Sequence, residues 1–86
     1  MARYNHGCLT DTVSVAFKIA VKNNKPVFVI AVYGGYRIVH EKPAGFKSFY
    51  IVNASGQVDL DEYDCMTGTR EVKQVNYIRF AQEAVR

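Results

Sequence analysis

The stretch Val27-Phe28-Val29-Ile30-Ala31-Val32-Tyr33-Gly34-Gly35-Tyr36-Arg37-Ile38-Val39-His40 decides the fold of this chain. Its first seven residues are unbroken apolar and rich in β-branched side chains, the composition of a strand that is central in its sheet or covered on both faces. Two glycines follow, and then a second β-rich run. Glycine accepts the positive φ that a tight hairpin turn needs, so the pair predicts a hairpin closed by Gly34-Gly35. That loop sets Tyr33 opposite Tyr36, Val32 opposite Arg37 and Ala31 opposite Ile38.

Upstream, residues 1–8 read as an irregular arm. Thr10 or Asp11 then caps a helix, and Val13, Ala16, Phe17, Ala20 and Val21 recur at the spacing of one apolar helical stripe. Lys18, Lys22 and Lys25 fall on the other side. Asp11 near the helix start and the lysines toward its end suit the macrodipole. Asn23-Asn24-Lys25-Pro26 stops the helix, since the residue before a proline avoids helical backbone angles.

Downstream, Glu41–Lys47 reads as a loop, Ser48–Asn53 as a third strand and Ala54-Ser55-Gly56 as a turn. Val58–Tyr63 reads as a fourth strand, with Val58 and Leu60 on a dry side and Asp59 and Asp61 on a wet one. Such a strand belongs near a sheet edge. Gly68-Thr69 breaks the chain. Tyr77, Phe80, Ala81, Ala84 and Val85 restore helical spacing, predicting a helix from about Arg70 to Ala84, although Val72, Val75 and Tyr77 also alternate as a strand would. The expectation is an α+β fold of order α-β-β-β-β-α. It consists of a four-stranded antiparallel meander with N- and C-terminal helices packed on one face.

A chain of 86 residues has room for one domain, 1–86, and its 49% hydrophobic and 22% charged content is that of a globular protein. Net charge is +3, mild for a dedicated nucleic-acid binder of this size. Cys8 and Cys65 are too few and too far apart for a secreted disulfide framework, so two free thiols are expected, with one long-range disulfide as the alternative. The first residues carry no apolar signal-peptide core, and the longest apolar run, Val27–Tyr33, is too short to span a bilayer. These features predict a cytoplasmic protein with no membrane association.

The residues that bear chemistry form no known constellation. His6, Cys8, His40 and Cys65 lack the two close ligand pairs of a zinc site. Neither cysteine sits in a nucleophile signature, and a chain this short barely encloses a substrate pocket. In Asp59-Leu60-Asp61-Glu62-Tyr63-Asp64, Leu60 and Tyr63 interrupt any calcium-loop series, and strand alternation turns Glu62 away from Asp59 and Asp61. Gly34-Gly35 precedes a strand, so it is no phosphate cradle. No catalytic residue, metal or cofactor is therefore expected, and a small hydrolase or metal protein ranks last.

Binding chemistry is better represented. With five phenylalanines and six tyrosines, the chain has more aromatic surface than a thin core uses. Tyr33, Tyr36 and Tyr50, placed on the sheet face away from the helices or on its rim, and Arg37, Asp59 and Asp61 beside them, have the make-up of an interface with a protein partner. The same face, or an edge strand, also suits pairing of two copies. Nucleic acid is the runner-up partner, with Lys18, Lys22, Lys25 and Arg37 as its phosphate contacts. Phe46, Phe49 and the tyrosines would offer stacking faces. The order of elements resembles double-stranded-RNA modules, but with an extra strand and with mixed signs at Arg70-Glu71-Val72-Lys73. In size and style the chain resembles small phage- or mobile-element-encoded proteins that bind and block a host protein, such as inhibitors of host defence nucleases. That resemblance rests on no motif. It implies a non-enzymatic inhibitor or regulator acting stoichiometrically, in the host cytoplasm if phage-encoded.

Overall fold

The structure, a computed structural model, describes residues 5–6 by their backbone and residues 9–75 in full. Along the chain it forms β1 (Asn5–His6), α1 (Leu9–Asn23), β2 (Val27–Val32), β3 (Gly35–Val39), β4 (Ser48–Val52), β5 (Val58–Asp64) and β6 (Thr69–Gln74). All pairings are antiparallel, in the spatial order β1-β3-β2-β4-β5-β6. The α+β class and the antiparallel sheet are as expected. The number of strands is not, because Thr69–Gln74 pairs with β5 where a helix was expected from Arg70. The rest of the expected C-terminal helix lies outside the described residues. Asn5–His6, expected in an irregular arm, pairs with Tyr36 and Arg37 of β3.

Helix α1 begins at Leu9, so Thr10 and Asp11 lie in its first turn and do not precede it as caps. Its end is a Schellman closure: Asn24 takes a left-handed φ of 55°, its N–H donates to the Val21 carbonyl, and the Lys25 N–H donates to that of Ala20. Thr12, Val13, Ala16 and Ala20 face inward. Val21, read as part of the stripe, is about half exposed, because the helix is rolled toward Ile19 and Leu9.

Strand β2 lies between β3 and β4, as its apolar run predicts. Ala31 faces Tyr36 and Val29 faces Ile38, so the hairpin loop is Tyr33-Gly34, one residue earlier than read. Gly34, at φ 88°, holds the second turn position, where only a residue free of Cβ sits without strain. The shift moves each cross-strand partner by two residues, so every side chain keeps its face.

Opposed residues share a face, which sorts the sheet into two sides. Val27, Val29, Ile38, Val52 and Val58 point toward α1 and form one buried core with Val13, Ala16 and Ala20. Each fully buried valine contributes about 1.5 kcal/mol or more. The other side carries Phe28, Ile30, Phe49, Asp61, Tyr63, Arg70 and Val72, and Ile30 and Phe49 are buried there as well. Helix α1 packs on β1 to β4, leaving the β5–β6 hairpin beside it. Among the described residues no helix is long and apolar enough to cross a membrane.

Candidate protein-binding surface

The residues expected to bind a partner are divided by the sheet. Tyr36 and Tyr50, expected on the open face or its rim, lie on the α1 side, half-buried against the core. Burial pushes the Tyr50 phenol above its ordinary value of 10.0, and the nearby Tyr36 and Glu62 act in the same direction. Arg37, Asp59 and Asp61 occupy the other side, and Tyr33 stands fully exposed at the β2–β3 turn. The lysines of the nucleic-acid reading are separated in the same way. Lys18, Lys22 and Lys25 are exposed on or just after α1, whereas Arg37 is half-buried on the sheet face away from that helix.

The two aspartates are engaged within the fold. Asp59 accepts from the Gln57 side-chain amide at 2.9 Å and from that of Asn53 at 3.4 Å. Asp61, expected on a wet face, is 3% exposed. Strand β5 is not an edge strand, and β6, laid along it, delivers Arg70 Nε to Asp61 Oδ1 at 2.7 Å. A buried carboxylate is tolerated only when paired in this way. Glu62 does turn to the α1 side, as alternation predicts.

Arg70 also fastens the loop before β4. Its Nη2 donates to the carbonyls of Phe46 (3.0 Å) and Lys47 (3.4 Å). The guanidinium lies 5.4 Å from the centre of the Phe49 ring and 6.0 Å from that of Tyr63, within cation–π range. Phe28 meets Phe49 edge-on at 6.0 Å. The N–H of Tyr63 donates to the Lys47 carbonyl at 2.7 Å, drawing the same loop onto β5. One side chain thereby ties β6, β5 and the loop together.

Large apolar side chains on the β5–β6 hairpin and in the loop before β4 are open to solvent. Phe46 and Tyr63 are each 37% exposed, Val72 57% and Met66 92%. A shallow hollow of about 450 Å³ opens between Gly45, Phe46, Lys47, Tyr63, Cys65 and Arg70. The four-residue turn 65–68 that presents Met66 has a local cause. The Asp64 carboxylate accepts the Met66 N–H, the Asp64 carbonyl accepts the Gly68 N–H, and Gly68 adopts a φ of 72°. Continuing the β2–β4 register puts Val32 level with Lys47, so Tyr33 rises at the same end of the sheet.

Sequence reasoning missed Phe46, Tyr63, Met66, Val72 and Arg70 as a group. The available signal was Asp64 and Gly68 four residues apart, which bracket a hairpin turn, followed by Val72 and Val75 in alternation.

Among the described residues, His40 and Cys65 lie apart. His40 lines a different hollow, with Asn23, Lys25, Pro26, Val27 and Glu41. It follows β3 at the Val58 end of the sheet, whereas Cys65 follows Asp64, six residues along β5 and about 20 Å away by strand rise. Cys65 is a free, exposed thiol, and Cys8 lies outside the described residues. Among the described residues no three His, Cys, Asp or Glu side chains converge to hold a metal. Compared with protein-family models, curated proteins and solved structures, the chain matches none.

Proposed function

We propose that this chain is a non-enzymatic protein-binding module that acts stoichiometrically as an inhibitor or regulator, in the manner of small phage- or mobile-element-encoded proteins. Its binding surface is the patch of Phe46, Tyr63, Met66 and Val72 around Arg70, with Tyr33 at its rim. The observation that carries this reading is the exposure of four large apolar side chains on a framework fixed by a buried ion pair. Exposed apolar clusters of this kind mark interaction sites, and aromatic, methionine and arginine side chains are enriched in interface cores. A surface held in place before binding loses little conformational entropy on contact, so more of the contact energy appears as affinity.

The test is capture from the native cell extract with the intact chain as bait, compared with a Phe46→Ala/Met66→Ser variant and with Lys18→Glu/Lys22→Glu. A protein held at one-to-one stoichiometry by the wild type and the lysine variant, and weakened about tenfold or more by the apolar variant, is the expected result. Retention of nucleic acid that disappears in the lysine variant, with no protein sensitive to the apolar one, would replace this reading with the phosphate-binding one.

A further inference from the structure

Strand β6 ends the sheet, and among the described residues nothing pairs with its outer side. Which of its backbone groups face outward follows from the ladder. The Val75 N–H donates to the Val58 carbonyl at 2.9 Å, continuing the register in which Asp59 faces Gln74 and Leu60 faces Lys73. Val58 and Val75 are therefore a hydrogen-bonded pair, and such pairs alternate along an antiparallel ladder. Lys73, Glu71 and Thr69 bond inward to β5. Arg70, Val72 and Gln74 direct their N–H and C=O groups away from the sheet.

An antiparallel strand docking on this edge must bring its own outward residues opposite these three. For a second copy of β6 the allowed registers are then few. One sets Glu71 against Glu71, and another sets Lys73 against Lys73, both unfavourable as directly opposed like charges. In the register centred on Val72, each Glu71 faces the Lys73 of the other copy, Val72 faces Val72, and Arg70 faces Gln74. Hydrogen-bond phase and charge select the same alignment.

We propose that β6 is a self-pairing edge. Two copies join through Thr69–Gln74 about a twofold axis at Val72, perpendicular to the sheet, and the two sheets become one. Three outward pairs face each other in this arrangement, and each exchanges two backbone hydrogen bonds. Edge strands are commonly guarded by like charges, a proline or a bulge. β6 has no proline and an unbroken register with β5, and its Glu71 and Lys73 carry opposite signs on one face. In the single chain those two side chains are both largely exposed and lie 3.7 Å apart. Dimerisation exchanges that contact for two cross-strand ones. Both apolar patches then lie on the same side of the joined sheet, although the pairing itself does not depend on what the patch binds.

Sedimentation equilibrium of the intact chain from about 10 µM to about 1 mM tests this, in the range where small interfaces associate. A monomer–dimer equilibrium is expected. Lys73→Glu and Glu71→Lys should each weaken it about tenfold, because both cross-strand pairs become repulsive. The double exchange Glu71→Lys/Lys73→Glu recreates the pairs in reverse and should restore wild-type association. Val72→Pro should abolish association while leaving the chain folded, since it removes an outward N–H that β5 does not use. A chain monomeric throughout the range overturns the proposal. So does a single reversal that dimerises like the wild type, or a folded double exchange that stays monomeric.

Discussion

The two halves of the sheet are stabilised by different physics. Strands β2 to β4 lie under α1 and share with it a core of Val13, Ala16, Ala20, Val27, Val29, Ile38 and Val52. The β5–β6 hairpin lies beside the helix, and every residue from Glu62 to Gln74 is exposed. It is kept in place by backbone pairing, by the entry of Val58 into the core and by the Arg70–Asp61 clasp. The covered half can rely on apolar burial, which is non-directional and needs no particular partner. The uncovered half depends on a few directional contacts, and its apolar side chains remain available to a neighbour.

The largest effect should come from breaking the covered half. Val29→Asp places an unpaired charge in a fully buried site and should cost upwards of about 4 kcal/mol, enough to remove the cooperative thermal transition. Retention of that transition would mean that the α1 core is not what holds the fold.

A smaller and more local effect is expected in the hairpin. Arg70→Ala strands the buried Asp61 carboxylate and frees the loop at Phe46 and Lys47. Broken buried pairs cost about 3–5 kcal/mol, but the Arg70 side chain is 38% exposed and water can reach Asp61 once it is gone, so about 2 kcal/mol is expected. Amide exchange should accelerate at Thr69, Glu71 and Lys73, whose N–H groups bond to β5, and at Tyr63, and leave α1 unchanged. Equal acceleration in both regions would erase the contrast drawn between them.

The smallest effect concerns the boundary between the halves, where Tyr50 of β4 packs against the α1 core and faces Leu60 of β5. Its phenol is raised above 10.0 in the folded state, chiefly by burial. The unfolded chain therefore gives up this proton first. The associated stability is complete below the ordinary tyrosine value and is lost as pH rises through the folded one. Tyr50→Phe should remove part of the alkaline decline in melting temperature and change little at neutral pH. An unchanged alkaline decline would place the titrating group elsewhere.

Local pattern made α1, the β2–β3 hairpin, β4 and β5 legible, because each carries its own period and its own stop signal. The side-chain faces survived even the misplaced hairpin loop, since a shift of two preserves alternation. Two inferences failed where local chemistry and pairing disagreed. Arg70-Glu71-Val72-Lys73-Gln74 is made of good helix formers apart from Val72, yet an adjacent strand with open hydrogen-bonding groups made it β. Asp61 looked solvated because its partner lies nine residues away across a turn.

What the sequence alone determined is the α+β class, the N-terminal helix, the central place of Val27–Val32 and the alternation of residues along β2 to β5. These follow from periodicity, and periodicity is a property of neighbours along the chain. Only the tertiary structure decided the sixth strand, the burial of Asp61 under Arg70 and the meeting of Phe46, Tyr63 and Arg70 around one hollow. Each of those depends on pairing across turns, from the nine residues between Asp61 and Arg70 to the 24 between Phe46 and Arg70, which the period of a single helix or strand does not encode.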